Sequence, residues 1–116
     1  MKTIINQYKL SDFNVSEKAI WLVAKWSTPE LRLPPRYKNI FIPVSQVAFK
    51  YVDNLLYIPQ WLVDSINKEH RLDPYKYEFP KPVLVHEVDK EMWEDFRDMY
   101  PFKNIKNEGY TVWKQN

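Results

Sequence analysis

No cysteine occurs in the 116 residues, which excludes a disulfide framework and a thiolate metal centre and suits a reducing, cytosolic setting. Glycine occurs once, at Gly109. Every other residue carries a Cβ and resists positive φ, so two-residue primed hairpin turns are expected to be rare. Turning falls instead to nine prolines, helped by Asn and Asp. The same scarcity excludes a glycine-rich phosphate loop and a strained serine elbow. No run of about 18 apolar residues exists, and Met1–Asn6 lacks a signal-peptide core, so neither membrane spanning nor secretion is expected. The net charge of +2 does not by itself point to a polyanionic partner.

Aromatic side chains are abundant: five Trp, eight Tyr and six Phe make up 16% of the chain, a level foreign to disordered sequences. The length suits one domain spanning 1–116 with a single core. Charge is unevenly placed. Residues 1–60 carry 8 basic and 4 acidic side chains, and residues 61–116 carry 9 and 11. Six acids fall between Glu87 and Asp98 against Lys90 and Arg97, so one basic and one acidic region are expected.

Lys18–Trp26, KAIWLVAKW, reads as the best strand, and its near-continuous apolarity predicts a central strand covered on both faces. Thr3–Lys9 alternates loosely, as a first strand or an irregular arm. Ser27–Asn39 reads as a loop stiffened by Pro29, Pro34 and Pro35. Phe41–Phe49 reads as a strand in which Pro43 must occupy an edge or a bulge, with Ser45 or Gln46 bonded to nearby backbone. Leu55–Ile58 is a short strand, and Pro59 suits the first turn of a helix over 59–70 that buries Trp61, Leu62 and Ile66.

Val83–Val88 is a further strand. Asp89 is expected to cap a helix over 89–100, with Val88 stapled on Trp93 and an apolar stripe of Met92, Trp93, Phe96, Met99 and Tyr100. Trp21, Trp61, Trp93 and Phe96 are assigned to the core. Ile105–Trp113 is a hairpin or a last strand. The fold class that follows is α+β: a small curved antiparallel sheet or partial barrel with two short helices.

No catalytic template survives. His70 and His86 lack the i, i+4 spacing of a metal pair, so no metal and no cofactor are expected and the chain is read as non-enzymatic. Three sets of residues remain as contact candidates. Lys25, Arg32, Arg36 and Lys38 are interleaved with Trp26 and Tyr37, which supplies charge for phosphate and rings for bases, or a surface for a protein. Tyr75, Tyr77 and Phe79 alternate in a proline-bounded segment, either as an exposed recognition row or as a strand packed on the core. Glu91, Glu94 and Asp95 offer an acidic helix face to a partner.

Three segments, Ser16–Ala24, Ile40–Val47 and Leu55–Asp64, together resemble a short β-rich module of small phage and prophage proteins, whose functions are largely unassigned. The matching motifs are Lys18-Ala19-Ile20, Phe41-Ile42-Pro43-Val44-Ser45-Gln46 and Pro59-Gln60-Trp61-Leu62. Phe41 stands where Trp is usual, and Val44 where Lys is usual. The resemblance implies a phage-type module over 16–66, a helix-containing extension over 67–116, and an accessory role in the host cytoplasm. It carries no catalytic residue. Small size, absent catalytic chemistry, abundant aromatics and the segregated acidic helix favour a host protein, modulated or inhibited, as the partner; the alternative is single-stranded nucleic acid, bound by the basic, proline-rich loop.

Overall fold

The structure is a computed structural model that describes residues 1–28, 30–71, 77 and 79–102. Among the described residues the fold is α+β, with two open antiparallel sheets and two α-helices. In chain order the strands are β1 (Lys2–Lys9), β2 (Asn14–Val15), β3 (Ile20–Thr28), β4 (Leu33–Ile42), β5 (Ala48–Lys50), β6 (Leu55–Pro59) and β7 (Leu84–Asp89). Helix α1 (Gln60–Glu69) follows β6, and α2 (Lys90–Met99) follows β7. One sheet has the order β5-β6-β1-β7 and the other β2-β3-β4, and the two do not close into a barrel.

The loosely alternating N-terminus is thus a strand, and it lies between β6 and β7 in the larger sheet. Its two faces serve different layers. Ile5 shares one face with Ala48, Tyr57 and Val88, beneath Trp93, Phe96 and Tyr100 of α2. Tyr8 shares the other with Phe49, Leu56 and Ile58, in the main core with Ile20, Leu22 and Trp26 of β3 and Leu62, Val63 and Ile66 of α1. The larger sheet therefore sits between α2 on one side and the smaller sheet with α1 on the other. The 16–66 segment does not form a layer of its own, because β5 and β6 share their sheet with β1 and β7.

Several expectations are corrected. β3 buries Ile20, Leu22, Ala24, Trp26 and Thr28 while Val23 and Lys25 face solvent, so only one face is covered. Ser27–Asn39 is not a loop: Leu33–Ile42 pairs along β3 in antiparallel register from Thr28↔Leu33 to Ile20↔Ile42. Its prolines are tolerated because β4 is an edge strand. Pro34 and Pro35 also fall where the register shifts between Trp26 and Thr28, two residues facing Ser27 alone. Phe41–Phe49 is not one strand either. β4 ends at Ile42, and Pro43 opens a 3-10 turn over Val44–Gln46, where Gln46 N–H reaches the Pro43 carbonyl at 3.1 Å. The Gln46 amide meets the Ser45 hydroxyl at 3.5 Å, a side-chain contact in place of the expected backbone one.

At the second proline, Pro59 closes β6 opposite Ile5 and stands at the N-cap of α1, one position before the expected first turn. The buried positions of α1 are Leu62, Val63 and Ile66, and Trp61 is 53% exposed instead of core. In α2 Trp93 is buried, Phe96 and Tyr100 are half-buried, and Met92 and Met99 are exposed, so the stripe is narrower than expected. Asp89 stands at the N-cap without a side-chain cap bond; its carboxylate faces Lys2 at 3.4 Å instead. The expected hairpin over 105–113 and, of the segment from Asp73 to Pro82, residues 73–76 and 78 lie outside the described residues.

Candidate interaction surface on the smaller sheet

Alternation along β3 and β4 sends odd positions of both strands outward, away from the core. Cross-strand pairing then sets Trp21 against Phe41, Val23 against Asn39 and Lys25 against Tyr37. The Trp21 and Phe41 rings lie 5.9 Å apart, tilted by 40°. Tyr37 is 63% exposed, Phe41 60% and Val23 54%. Among the described residues nothing covers this face, and Trp21, assigned to the core from sequence, is a half-buried member of it. The result is a ladder in which the Trp21/Phe41 pair is separated from Tyr37 by Val23 beside the polar Asn39, with Lys25 next to Tyr37 at one end.

Beyond Lys25 the hairpin turns without glycine. The Thr28 carbonyl accepts the N–H groups of Leu31 and Arg32 at 3.1 and 2.8 Å, and its hydroxyl accepts from Leu33 N–H at 3.0 Å. Arg32 takes φ 54, a left-handed conformation that glycine would adopt without cost. This places an exposed cation at the tip.

The inward side of the same hairpin end has a different character. Arg36 lies opposite Trp26 and Lys38 opposite Ala24, on the parity of the core but past its end. With Glu69, His70 and Arg71 they line a groove of about 350 Å³. Trp26 borders the groove from the core side. It is 3% exposed, and its indole N–H donates to the His70 carbonyl at 3.1 Å. Tyr77 covers it with ring centroids 4.9 Å apart, while the Tyr77 hydroxyl donates to Asn67 Oδ1 at 2.7 Å and burial holds its pKa above the usual phenol value.

The structure thus divides the first set of candidates. Lys25 and Tyr37 share the open face, Arg36 and Lys38 line the groove, Arg32 is on the tip and Trp26 is core. Of the second set, Tyr77 and Phe79 pack on the core, Phe79 lying 5.7 Å from Tyr8 and 6.0 Å from Phe13, and Tyr75 lies outside the described residues. Glu91 and Asp95 are exposed on α2, and half-buried Glu94 borders a groove with Trp61, Lys2 and Arg97. His70 stands by the basic groove, and His86 on β7 bonds Gln7 Oε1 at 2.8 Å. Among the described residues no three His, Asp or Glu side chains converge as a metal site, and no helix is long and apolar enough to cross a membrane.

Sequence reasoning missed Val23 and Phe41 as surface and His70 and Arg71 as groove residues. The first two carry a readable signal. Lys25 and Ser27 fix the outward phase of β3, which period-two alternation extends back to Val23 and Trp21. The groove has no such signal, because its halves meet only in space. No family model, no curated protein and no solved structure matches this chain.

Proposed function

We propose that this chain is a non-enzymatic accessory protein of phage or mobile-element type that acts in the host cytoplasm by docking on a host protein. The observation that carries this reading is the uncovered ladder Trp21/Phe41, Val23/Asn39, Lys25/Tyr37. A contiguous exposed apolar patch with a polar rim is the signature of a protein contact, and Trp and Tyr supply much of the binding free energy at such sites. The resemblance of Lys18–Ile20, Phe41–Gln46 and Pro59–Leu62 to phage modules supports the origin and the accessory role.

The test is capture from nuclease-treated bacterial lysate at about 300 mM salt, a concentration that suppresses charge-driven binding. The wild-type chain retains a discrete protein, and a Tyr37→Ala, Phe41→Ala double variant with an unchanged melting curve loses it. Equal capture by the double variant removes the open face from the mechanism.

A second reading rests on the groove, where Arg36, Lys38, His70 and Arg71 gather beside the exposed Tyr37. Cations next to an exposed ring suit single-stranded nucleic acid. That reading requires a gel shift at about 50 mM salt that collapses near 200 mM and disappears in an Arg32→Ala, Arg36→Ala, Lys38→Ala variant. Without a wild-type shift it is discarded.

A further inference from the structure

On the opposite side of the larger sheet, α2 does not seal against the strands. A cavity of about 210 Å³ remains between them. Ile5, Tyr57 and Val88 line it from the sheet, and Trp93 and Phe96 from the helix. Tyr57 and Phe96 meet edge-on at 4.9 Å, and Trp93 lies 6.2 Å from Phe96, so three rings are already held in place around the space. Met92, 61% exposed, also lines it and stands where it meets solvent.

Size and polarity narrow what such a space accepts. An apolar cavity of about 150 Å³ holds a benzene ring and stays dry, so this one has room for a larger planar ring. Its lining is apolar apart from the Tyr57 hydroxyl and His86. Burial raises the Tyr57 pKa and keeps the hydroxyl as a neutral O–H. His86 Nε2 lies 2.8 Å from Gln7 Oε1, an oxygen that can only accept, so in the neutral tautomer that fits this contact Nδ1 is the ring's acceptor.

We propose that this cavity is a binding site for a small planar aromatic molecule carrying one hydrogen-bond donor, of the indole or phenol class. The ring occupies the space bounded by Tyr57, Trp93 and Phe96, and its N–H or O–H donates to His86. The site is independent of the docking reading, because the larger sheet separates it from β3 and β4.

Calorimetric titration of the full chain at pH 8 with indole and with 1-methylindole tests the assignment. Indole binds saturably at one site, and 1-methylindole, which has lost the donor, binds at least tenfold more weakly. His86→Leu abolishes that discrimination. Val88→Phe fills the cavity and removes binding of both probes. If Val88→Phe does not melt cooperatively, Met92→Trp, altered at the exposed edge of the cavity, takes its place. Absent indole saturation at millimolar concentration overturns the site. Equal affinity for the two probes overturns the role of His86, and full binding by the folded filled variant overturns the location.

Discussion

Trp26 donates its indole N–H to the backbone carbonyl of His70 at 3.1 Å, joining β3 to the end of α1 across 44 positions of sequence. The bond satisfies a polar edge in a nearly fully buried ring and fixes the wall of the basic groove. Trp26→Phe keeps most of the apolar volume but strands that carbonyl, and is expected to cost about 1–3 kcal/mol in urea unfolding. Trp26→Ala adds a cavity and is expected to cost about 3–5 kcal/mol.

Trp61 and Trp93 separate the two helices by experiment. Trp93 is 6% exposed and Trp61 53%. Trp93→Ala is expected to lose about 3–5 kcal/mol, and Trp61→Ala about 1 kcal/mol or less. Comparable losses for both would contradict the orientation of α1.

Asp89→Ala tests the start of α2. The carboxylate makes no cap bond and faces Lys2 across a largely exposed 3.4 Å pair, so the expected cost is only about 0–1 kcal/mol. Added salt should shrink it further. A salt-independent loss near 2 kcal/mol would instead indicate a formed cap.

Alkaline pH should unfold the protein through Tyr8. Burial raises its pKa from 10.0 to about 12, against a lowering contribution from its hydrogen bond with Asn6. A phenol with a raised folded-state pKa stabilises fully below the unfolded value. Between about pH 10 and 12 the unfolded chain has released a proton that the folded one still holds, so stability falls as pH rises. Tyr8→Phe should flatten that part of the profile in urea melts, and wild-type tyrosinate absorbance near the top of the window should appear together with loss of structure.

Among the described residues, Arg32 and Asn54 take φ 54 and φ 59, left-handed turns made with a side chain in place. Asn tolerates that region and Arg does so at a cost. Arg32→Gly is expected to be neutral or stabilising by up to about 1 kcal/mol, whereas Asn54→Ala should destabilise by about 1 kcal/mol. Thermal melts of the two variants distinguish the signs.

Legibility followed the strength of the local signal. The strand–helix unit at Leu84–Met99 was readable because period two changes to period 3.6 at Asp89. β4 was hidden by Pro34 and Pro35, which argue against a strand only when both edges must donate. An indole's side is set by its neighbours and not by its hydrophobicity, so neither the outward Trp61 nor the buried Trp26 is legible from residue type alone. In α1 the buried arc is centred on Leu62, Val63 and Ile66, turning Trp61 outward. In β3 Trp26 shares the parity of Ile20, Leu22 and Ala24. The open ladder is half legible: Lys25 and Tyr37 stand out as a cation near a ring, but their alignment with Trp21 and Phe41 needs a register that no single segment contains.

The central place of β1 sets the order of events at the ribosome. Its partners are β6, paired from Lys9↔Leu55 to Ile5↔Pro59, and β7, paired from Gln7↔Leu84 to Lys2↔Asp89. During synthesis β1 therefore emerges first and waits for nearly all of the described chain before its second neighbour exists. The β3–β4 hairpin closes within its own 23 residues and can form long before that. Nascent chains halted before residue 84 should show a protected hairpin beside a first strand that remains open to proteases and to chaperones, and release past Asp89 should protect both together.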